Sequence, residues 1–121
     1  MRLSIIAIIL LSLYFSACID KVQVDPSEKF LIRMDNPSIA GFESDYTCEI
    51  TLYNRPDAVK LKTAYLKLQK KNLEIADGST YYIVERYVHN VIVDYIEVES
   101  RHADESKYAR QLLDLIDTGC P

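Results

Sequence analysis

The sequence predicts an α+β fold, in which a two-stranded antiparallel hairpin packs on about three helices. Two short segments, residues 30–34 and 46–53, alternate apolar with polar side chains, which is the pattern of half-buried strands. Longer segments nearer the C-terminus repeat apolar residues at the spacing of amphipathic helices. The alternative is a fold with more β-structure, in which residues 81–99 form a second hairpin.

The two predicted strands are expected to pair with each other. In the first strand, the residues that share one face are Phe30, Ile32 and Met34. In the second strand, one face carries Tyr46, Cys48, Ile50 and Leu52. Asp35-Asn36-Pro37-Ser38 is a turn or loop signal. We therefore expect an antiparallel pair joined by the loop between Asp35 and Asp45.

A first helix is predicted to follow Asn54-Arg55-Pro56-Asp57. Asn54 can act as the cap, Pro56 suits the first turn, and Asp57 favours the positive end of the helix dipole. One face of this helix is lined by Ala58, Leu61, Tyr65, Leu68 and Ile75. Gly78 is the predicted stop.

The segment from Tyr81 to Arg101 carries two conflicting signals. Its many β-branched residues and tyrosines favour strands by propensity. Its polar residues recur with a period near 3.6, and no glycine or proline interrupts it. On the periodicity we predict a helix, with Val84, Val88, Val91, Tyr95 and Val98 on one stripe. The alternative is a hairpin that turns at His89-Asn90, with Tyr87 facing Ile92.

A final helix is predicted from about Asp104 to Asp117, ended by Gly119. Its core face consists of Tyr108, Leu112, Leu115 and Ile116. Cys120 follows directly, so any bond that Cys120 forms would fix the end of this helix.

The first residues have the layout of a secretory signal. Arg2 supplies a positive start, the stretch from Leu3 to Phe15 is almost wholly apolar, and small residues follow it. This apolar stretch is shorter than the ~20 residues that a membrane-spanning helix needs. The predicted organisation is a signal peptide over 1–17, a tether over 18–27 and a single small domain over 28–121.

The residues Phe15-Ser16-Ala17-Cys18 resemble the lipobox of bacterial lipoproteins. The resemblance implies that Cys18 is lipid-modified and becomes the N-terminus, although Phe15 stands where the family usually has an aliphatic residue. Ile19, in place of an aspartate, implies an outer-membrane lipoprotein that faces the periplasm. The alternative is ordinary signal cleavage, which gives a soluble periplasmic or secreted protein.

The chain has three cysteines: Cys18, Cys48 and Cys120. If Cys18 carries lipid, the remaining pair in an oxidising compartment is expected to form a disulfide. The alternative is two free buried thiols. Two cysteines without CxxC spacing do not make a zinc site, so no metal is expected.

No motif indicates catalysis or a cofactor. The two histidines, His89 and His102, are better explained as a solvated side chain and a neighbour of carboxylates than as bases. Glu97 and Glu99 form an acidic pair of the kind that glycosidases use, but nothing distinguishes them from an ordinary charged face. The net charge of −4 argues against nucleic acid as a partner. We therefore expect no enzyme.

The tyrosine content favours a protein partner instead. Of nine tyrosines, all but Tyr14 lie beyond the predicted signal, and tyrosine is enriched at protein interfaces. The candidate partner-binding residues are Tyr53, Tyr81 and Tyr82. We expect an exported envelope protein that binds a protein partner as an inhibitor or immunity protein. The alternative is a structural accessory lipoprotein of an envelope secretion or assembly complex.

Overall fold

A computed structural model describes residues 22–36 and 47–120, which form a four-stranded antiparallel sheet with helices packed on one face. The strands lie in the order β2-β1-β3-β4. The elements are β1 (Lys29–Asp35), β2 (Thr47–Thr51), α1 (Ala58–Lys71), β3 (Tyr81–Val88), β4 (Val91–Val98), α2 (His102–Glu105) and α3 (Lys107–Gly119). The predicted signal, Cys18, most of the predicted loop between β1 and β2, and Tyr46 lie outside the described residues.

The α+β class and the pairing of the first two strands are confirmed. β1 and β2 are antiparallel, with Phe30 opposite Ile50 and Ile32 opposite Cys48. The two-stranded hairpin is nevertheless only part of the sheet, because β1 also pairs with β3 along its whole length.

The predicted helix over residues 81–101 is wrong, and the alternative hairpin is correct. β3 and β4 pair as antiparallel strands, with Tyr87 opposite Ile92. The turn residues His89 and Asn90 have φ values of 52° and 62°. Two consecutive residues with positive φ are what a two-residue hairpin turn requires, because this turn matches the twist of the strands.

Buried ion pairing explains why the periodicity was misleading. Arg86 and Asp94 face the helices and bond to each other there, so polar residues lie on the covered face. The register also shifts, because Arg86 pairs with Asp94 and the next residue, Tyr87, pairs with Ile92. Val93 is therefore the extra residue of a β-bulge, which breaks the two-residue alternation along β4.

α1 begins and ends at other residues than the sequence predicted. Asp57 occupies the N-cap position but makes no side-chain cap bond, and Asn54 lies outside the helix with a φ of 74°. Asn72, with a φ of 51°, ends the helix in the left-handed conformation. Ile75 consequently lies beyond the helix, and Gly78 belongs to a later turn.

The predicted C-terminal helix consists of α2 and α3, separated at Ser106. The Ser106 side chain accepts a hydrogen bond from the backbone N–H of Ala109, which is an N-cap contact. Leu112, Leu115 and Ile116 are buried, as predicted, whereas Tyr108 is only partly buried.

The core lies between the sheet and the helices α1 and α3. At its centre, the rings of Phe30 and Tyr65 stack with centroids 5.1 Å apart, and both side chains are fully buried. The predicted disulfide between Cys48 and Cys120 is present, with Cα atoms 5.6 Å apart. It joins β2 to the end of α3 across 72 residues, which corresponds to roughly 4 kcal/mol on the chain-entropy account.

Within residues 22–36 and 47–120, no helix has both the length and the apolar character needed to cross a membrane.

Candidate interaction surface on the β3–β4 hairpin

The sheet has one face covered by helices and one open face. Strand alternation and the register place Phe30, Val84 and Ile96 on the covered face, where all three are buried. The open face carries partly buried and exposed side chains. On the half formed by β3 and β4, its apolar and aromatic residues are Tyr81, Ile83, Tyr87, Ile92 and Tyr95.

Exposed apolar side chains concentrate on β4. Six large apolar residues of the described chain are exposed, and four of them lie within five positions of β4. These four are Val91, at 64 % exposed, Ile92, at 45 %, Val93, at 52 %, and Tyr95, at 57 %. Isolated exposed apolar residues need no explanation, but Ile92 and Tyr95 lie on the open face beside its further apolar residues, and such a group marks an interaction surface.

Among the described strands, β4 is also an edge of the sheet, because it is the last in the order and β3 is its neighbour. A groove of about 390 Å³ runs between this edge and the end of α1. Its lining on the helix side consists of Leu68, Gln69, Asn72 and Leu73, and on the strand side of residues 94–97.

A buried ionic network lies beneath the sheet close to this groove. The fully buried Glu28 accepts hydrogen bonds from Lys62 at 2.9 Å and from Arg86 at 3.1 Å. Arg86 donates two more bonds to Asp94, at 3.0 and 2.8 Å. The hydroxyl of Tyr65 donates to Asp94 at 2.6 Å.

These contacts hold the network in one charge state. Burial opposes ionisation of Asp94, but hydrogen bonds from Arg86, Tyr65 and Gln69 outweigh burial and lower the pKa of Asp94. Burial, together with the bond to Asp94, raises the pKa of Tyr65 far above its ordinary value. The same bonds to Asp94, which outweigh desolvation, raise the pKa of Arg86.

The arrangement of this network indicates a structural role rather than a catalytic one. Its two carboxylates face two cations, so the charges balance, and each group already holds a partner. In the described part of the chain, no buried side-chain nitrogen or oxygen lacks a hydrogen bond. A general acid or base must have a proton to exchange with substrate, and none of these groups is free to do so.

The two histidines lie in different environments. His102 is buried, its Nδ1 accepts from the backbone N–H of Glu99 at 3.0 Å, and its Nε2 lies 2.9 Å from the carbonyl oxygen of Glu74. His89 is exposed in the hairpin turn. Over residues 22–36 and 47–120, no cluster of three or more histidine, cysteine, aspartate or glutamate side chains could hold a metal ion.

The three tyrosines proposed from the sequence do not lie together. Tyr53 is 45 % exposed and follows β2, at the sheet end where β1 begins. Tyr81 lies at the opposite end of the sheet, opposite Asp35, and its hydroxyl donates to that carboxylate at 3.1 Å. Tyr82 is the next residue of β3, so it points to the covered face, where it packs against the core. Their role in binding stays a prediction.

The surface on β4 was not predicted from the sequence. The signal that could have found it is the run Val91-Ile92-Val93 followed by Tyr95, because an amphipathic strand would have polar residues at alternate positions. Comparisons with protein-family models, with curated proteins and with solved structures give no match. The proposed function therefore rests on this surface.

Proposed function

We propose that this chain is a small exported protein that binds a protein partner in the cell envelope, as an inhibitor or immunity protein. In this proposal Cys18 carries the lipid that anchors the domain to the outer membrane, facing the periplasm. The observation that carries the binding role is the concentration of exposed apolar side chains on β4, next to Ile83 and Tyr87 of the open face.

The surface has the composition of a protein interface. Tyr87 and Tyr95 offer rigid apolar area with a polar tip, which is why tyrosine is frequent at sites that dominate binding energy. Charged pairs share the open face with these residues: Arg33 of β1 bonds at 3.1 Å to Glu85, which lies between Ile83 and Tyr87 on β3, and Lys29 of β1 bonds to Glu49 of β2 at 2.7 Å. Apolar and aromatic side chains combined with paired charges are common in protein–protein interfaces.

The rigidity of the domain supports an inhibitor or immunity role. The disulfide, the buried network and the packed helices hold the sheet in one arrangement, so little ordering entropy is lost when its surface binds. The negative net charge favours a basic partner by electrostatic steering.

Photo-crosslinking in the native host tests the binding role. The photoreactive residue p-benzoylphenylalanine replaces Tyr95 in the full chain, and in a matched control it replaces Lys107, which is exposed on α3. We expect position 95 to crosslink to a partner and position 107 to crosslink weakly or not at all. Equal yields at both positions, or no product at 95, would count against the proposed surface.

The identity of the crosslinked product separates the two functional classes. A single toxin or envelope enzyme supports the inhibitor or immunity role, whereas several subunits of one secretion or assembly complex support the accessory role.

The lipid anchor has its own test. Cells are fed a clickable fatty acid, and the full chain is compared with its Cys18→Ala variant. We expect label on the wild-type chain and none on the variant. An unlabelled wild-type chain, or label that persists in Cys18→Ala, contradicts the anchor.

A further inference from the structure

The backbone of β4, as well as its side chains, can take part in binding a partner. We propose that the partner docks by adding an extended segment to the edge of β4 along Asp94–Glu97. In this arrangement the segment alternates apolar side chains toward α1 and carries a basic residue beside Glu97. This inference rests on the proposed function, because it specifies how the partner binds.

The edge of β4 lines the open groove over four residues, Asp94 to Glu97. Alternate N–H and C=O groups of an edge strand point away from its only neighbour and can accept another strand. β4 contains no lysine or proline, two residues that protect many natural edges. The bulge at Val93 interrupts the regular edge on one side, and Val98 is completely buried on the other, so regular pairing extends from Asp94 to Glu97.

The groove beside β4 has the shape that such a segment needs. An added strand would lie about 4.8 Å from β4, and every second side chain would point to the helix side of the sheet. On that side the groove is lined by the buried Leu68, by the partly buried Leu73 and by the exposed residues Gln69 and Asn72. The proposed helix-facing side chains are apolar where they cover Leu73, and the amides of Gln69 and Asn72 lie beside them.

The acidic residues that line the groove favour a segment that carries a basic residue. The residues that line it include two carboxylates, Asp94 and Glu97, and no lysine or arginine. Asp94 is neutralised by Arg86. Glu97 forms no ion pair with another residue of the described chain, and it is only partly exposed on the open-face side of β4.

The same charges disfavour a second copy of this chain as the occupant. Antiparallel pairing of two β4 edges would bring two Glu97 carboxylates into one interface without a cation from either groove lining. Two chains that each carry a net charge of −4 would also repel each other. A basic segment of a different protein meets neither obstacle.

A selection of short peptides tests this inference without knowledge of the natural partner. A phage-displayed library of random twelve-residue peptides is panned against the full chain, purified in detergent. Enriched peptides are then synthesised, and their binding is compared between the wild-type chain, Glu97→Lys and Asp117→Lys. Asp117 is exposed on α3, so its variant changes the net charge equally, away from β4.

We expect the enriched peptides to alternate apolar residues and to carry net positive charge. Binding to Glu97→Lys should be about tenfold weaker, because a favourable charge pair becomes a repulsive one. Binding to Asp117→Lys should change less than about twofold, the range of a screened surface charge. Amide hydrogen exchange of residues 94–97 should slow when the peptide binds.

The inference fails if no peptide is enriched, if the enriched peptides are acidic, or if both lysine variants bind equally well. It also fails if bound peptide leaves the amides of 94–97 exchanging as before. These results leave the proposed function standing whenever position 95 still crosslinks to a partner in cells. Conversely, the absence of a crosslink at position 95 counts against the proposed function, whatever the outcome of the peptide selection.

Discussion

Removing the hydroxyl of Tyr65 is the most direct test of the buried network. Tyr65→Phe deletes only the group that donates to Asp94 at 2.6 Å, and it leaves the ring stacked on Phe30. Asp94 then keeps its two bonds from Arg86. The substitution therefore removes the hydrogen bond from a neutral donor to an ionised acceptor, together with the contact of the hydroxyl with Arg86.

The structure sets the expected magnitude. Hydrogen bonds to charged groups contribute about 1.5–3 kcal/mol when their partner would otherwise be left unsatisfied. The Asp94 side chain is 19 % exposed, so water can replace part of the lost bond. We expect a loss of about 2 kcal/mol in the free energy of unfolding, which corresponds to roughly 10 °C in melting temperature for a domain of this size.

The loss should also depend on pH. Because the folded pKa of Asp94 is lowered, its contribution to stability is present above the unfolded aspartate pKa of about 3.9. That contribution disappears as the pH falls through the lowered, folded value. The difference between wild type and Tyr65→Phe should therefore be full at neutral pH and should shrink in acid.

Urea unfolding followed by circular dichroism measures the effect, with Tyr108→Phe as control. Tyr108 is partly buried, but no hydrogen bond of its hydroxyl is seen, so we expect a change below about 0.5 kcal/mol. In an Asp94→Asn background, Tyr65→Phe should cost clearly less than in the wild type. An unchanged cost there, or a loss for Tyr65→Phe no larger than the control, would refute the assigned role of this bond.

Three further predictions concern other parts of the fold. Replacing Cys48 and Cys120 together by alanine should lower the free energy of unfolding by roughly 4 kcal/mol in urea titrations; the same midpoint with and without the bridge would contradict this. Asn90→Ala should cost about 1 kcal/mol, whereas Asn90→Gly should not, since only glycine tolerates this positive φ freely; equal stabilities would argue against the turn geometry. For Glu99, burial is outweighed by bonds from Arg101 and the backbone N–H of Ala76, so its pKa is lowered. Glu99→Gln should therefore lose stability at neutral pH and reduce the steepness of acid unfolding, and an unaltered acid profile would contradict it.

The sequence predicts this fold well where local rules agree with the tertiary environment. The alternation in β1 and β2 is readable because each strand has one buried face, with Phe30, Ile32 and Ile50 toward the core. The apolar stripe of α3 is readable for the same reason. The disulfide followed from cysteine counting, with Cys18 assigned to lipid in an exported protein and without knowledge of the fold.

The β3–β4 hairpin could not be predicted in this way, because tertiary contacts reverse its polarity pattern. Arg86 and Asp94 face inward as a buried pair, while Ile92 and Tyr95 face outward. A bulge then shifts the phase of β4 at Val93. The two-residue period is hidden by these features, and the remaining polar spacing imitates a helix. Propensity, from the many β-branched residues, was the better guide here.

The candidate surface was missed for a related reason. Tyr53, Tyr81 and Tyr82 were chosen because tyrosine favours interfaces, but exposure depends on which face a strand covers. Which face of a strand is covered depends on how the whole sheet packs against the helices. Once the helices cover one face, Tyr82 turns to the core, and Tyr95 on β4 is left exposed.

Asp94 connects the buried network to the exposed edge and sets the limits of that edge. An inward-pointing charge on an edge strand normally protects against unspecific pairing, because an added strand must accommodate it. Here Tyr65 and Arg86 already hold the carboxylate, so it no longer repels a partner, and it fixes β4 to the layer beneath. With the bulge at Val93 on one side and the buried Val98 on the other, only four edge residues remain for pairing. So short an edge provides few backbone hydrogen bonds, and selectivity must then come from the leucines of the groove and from Glu97.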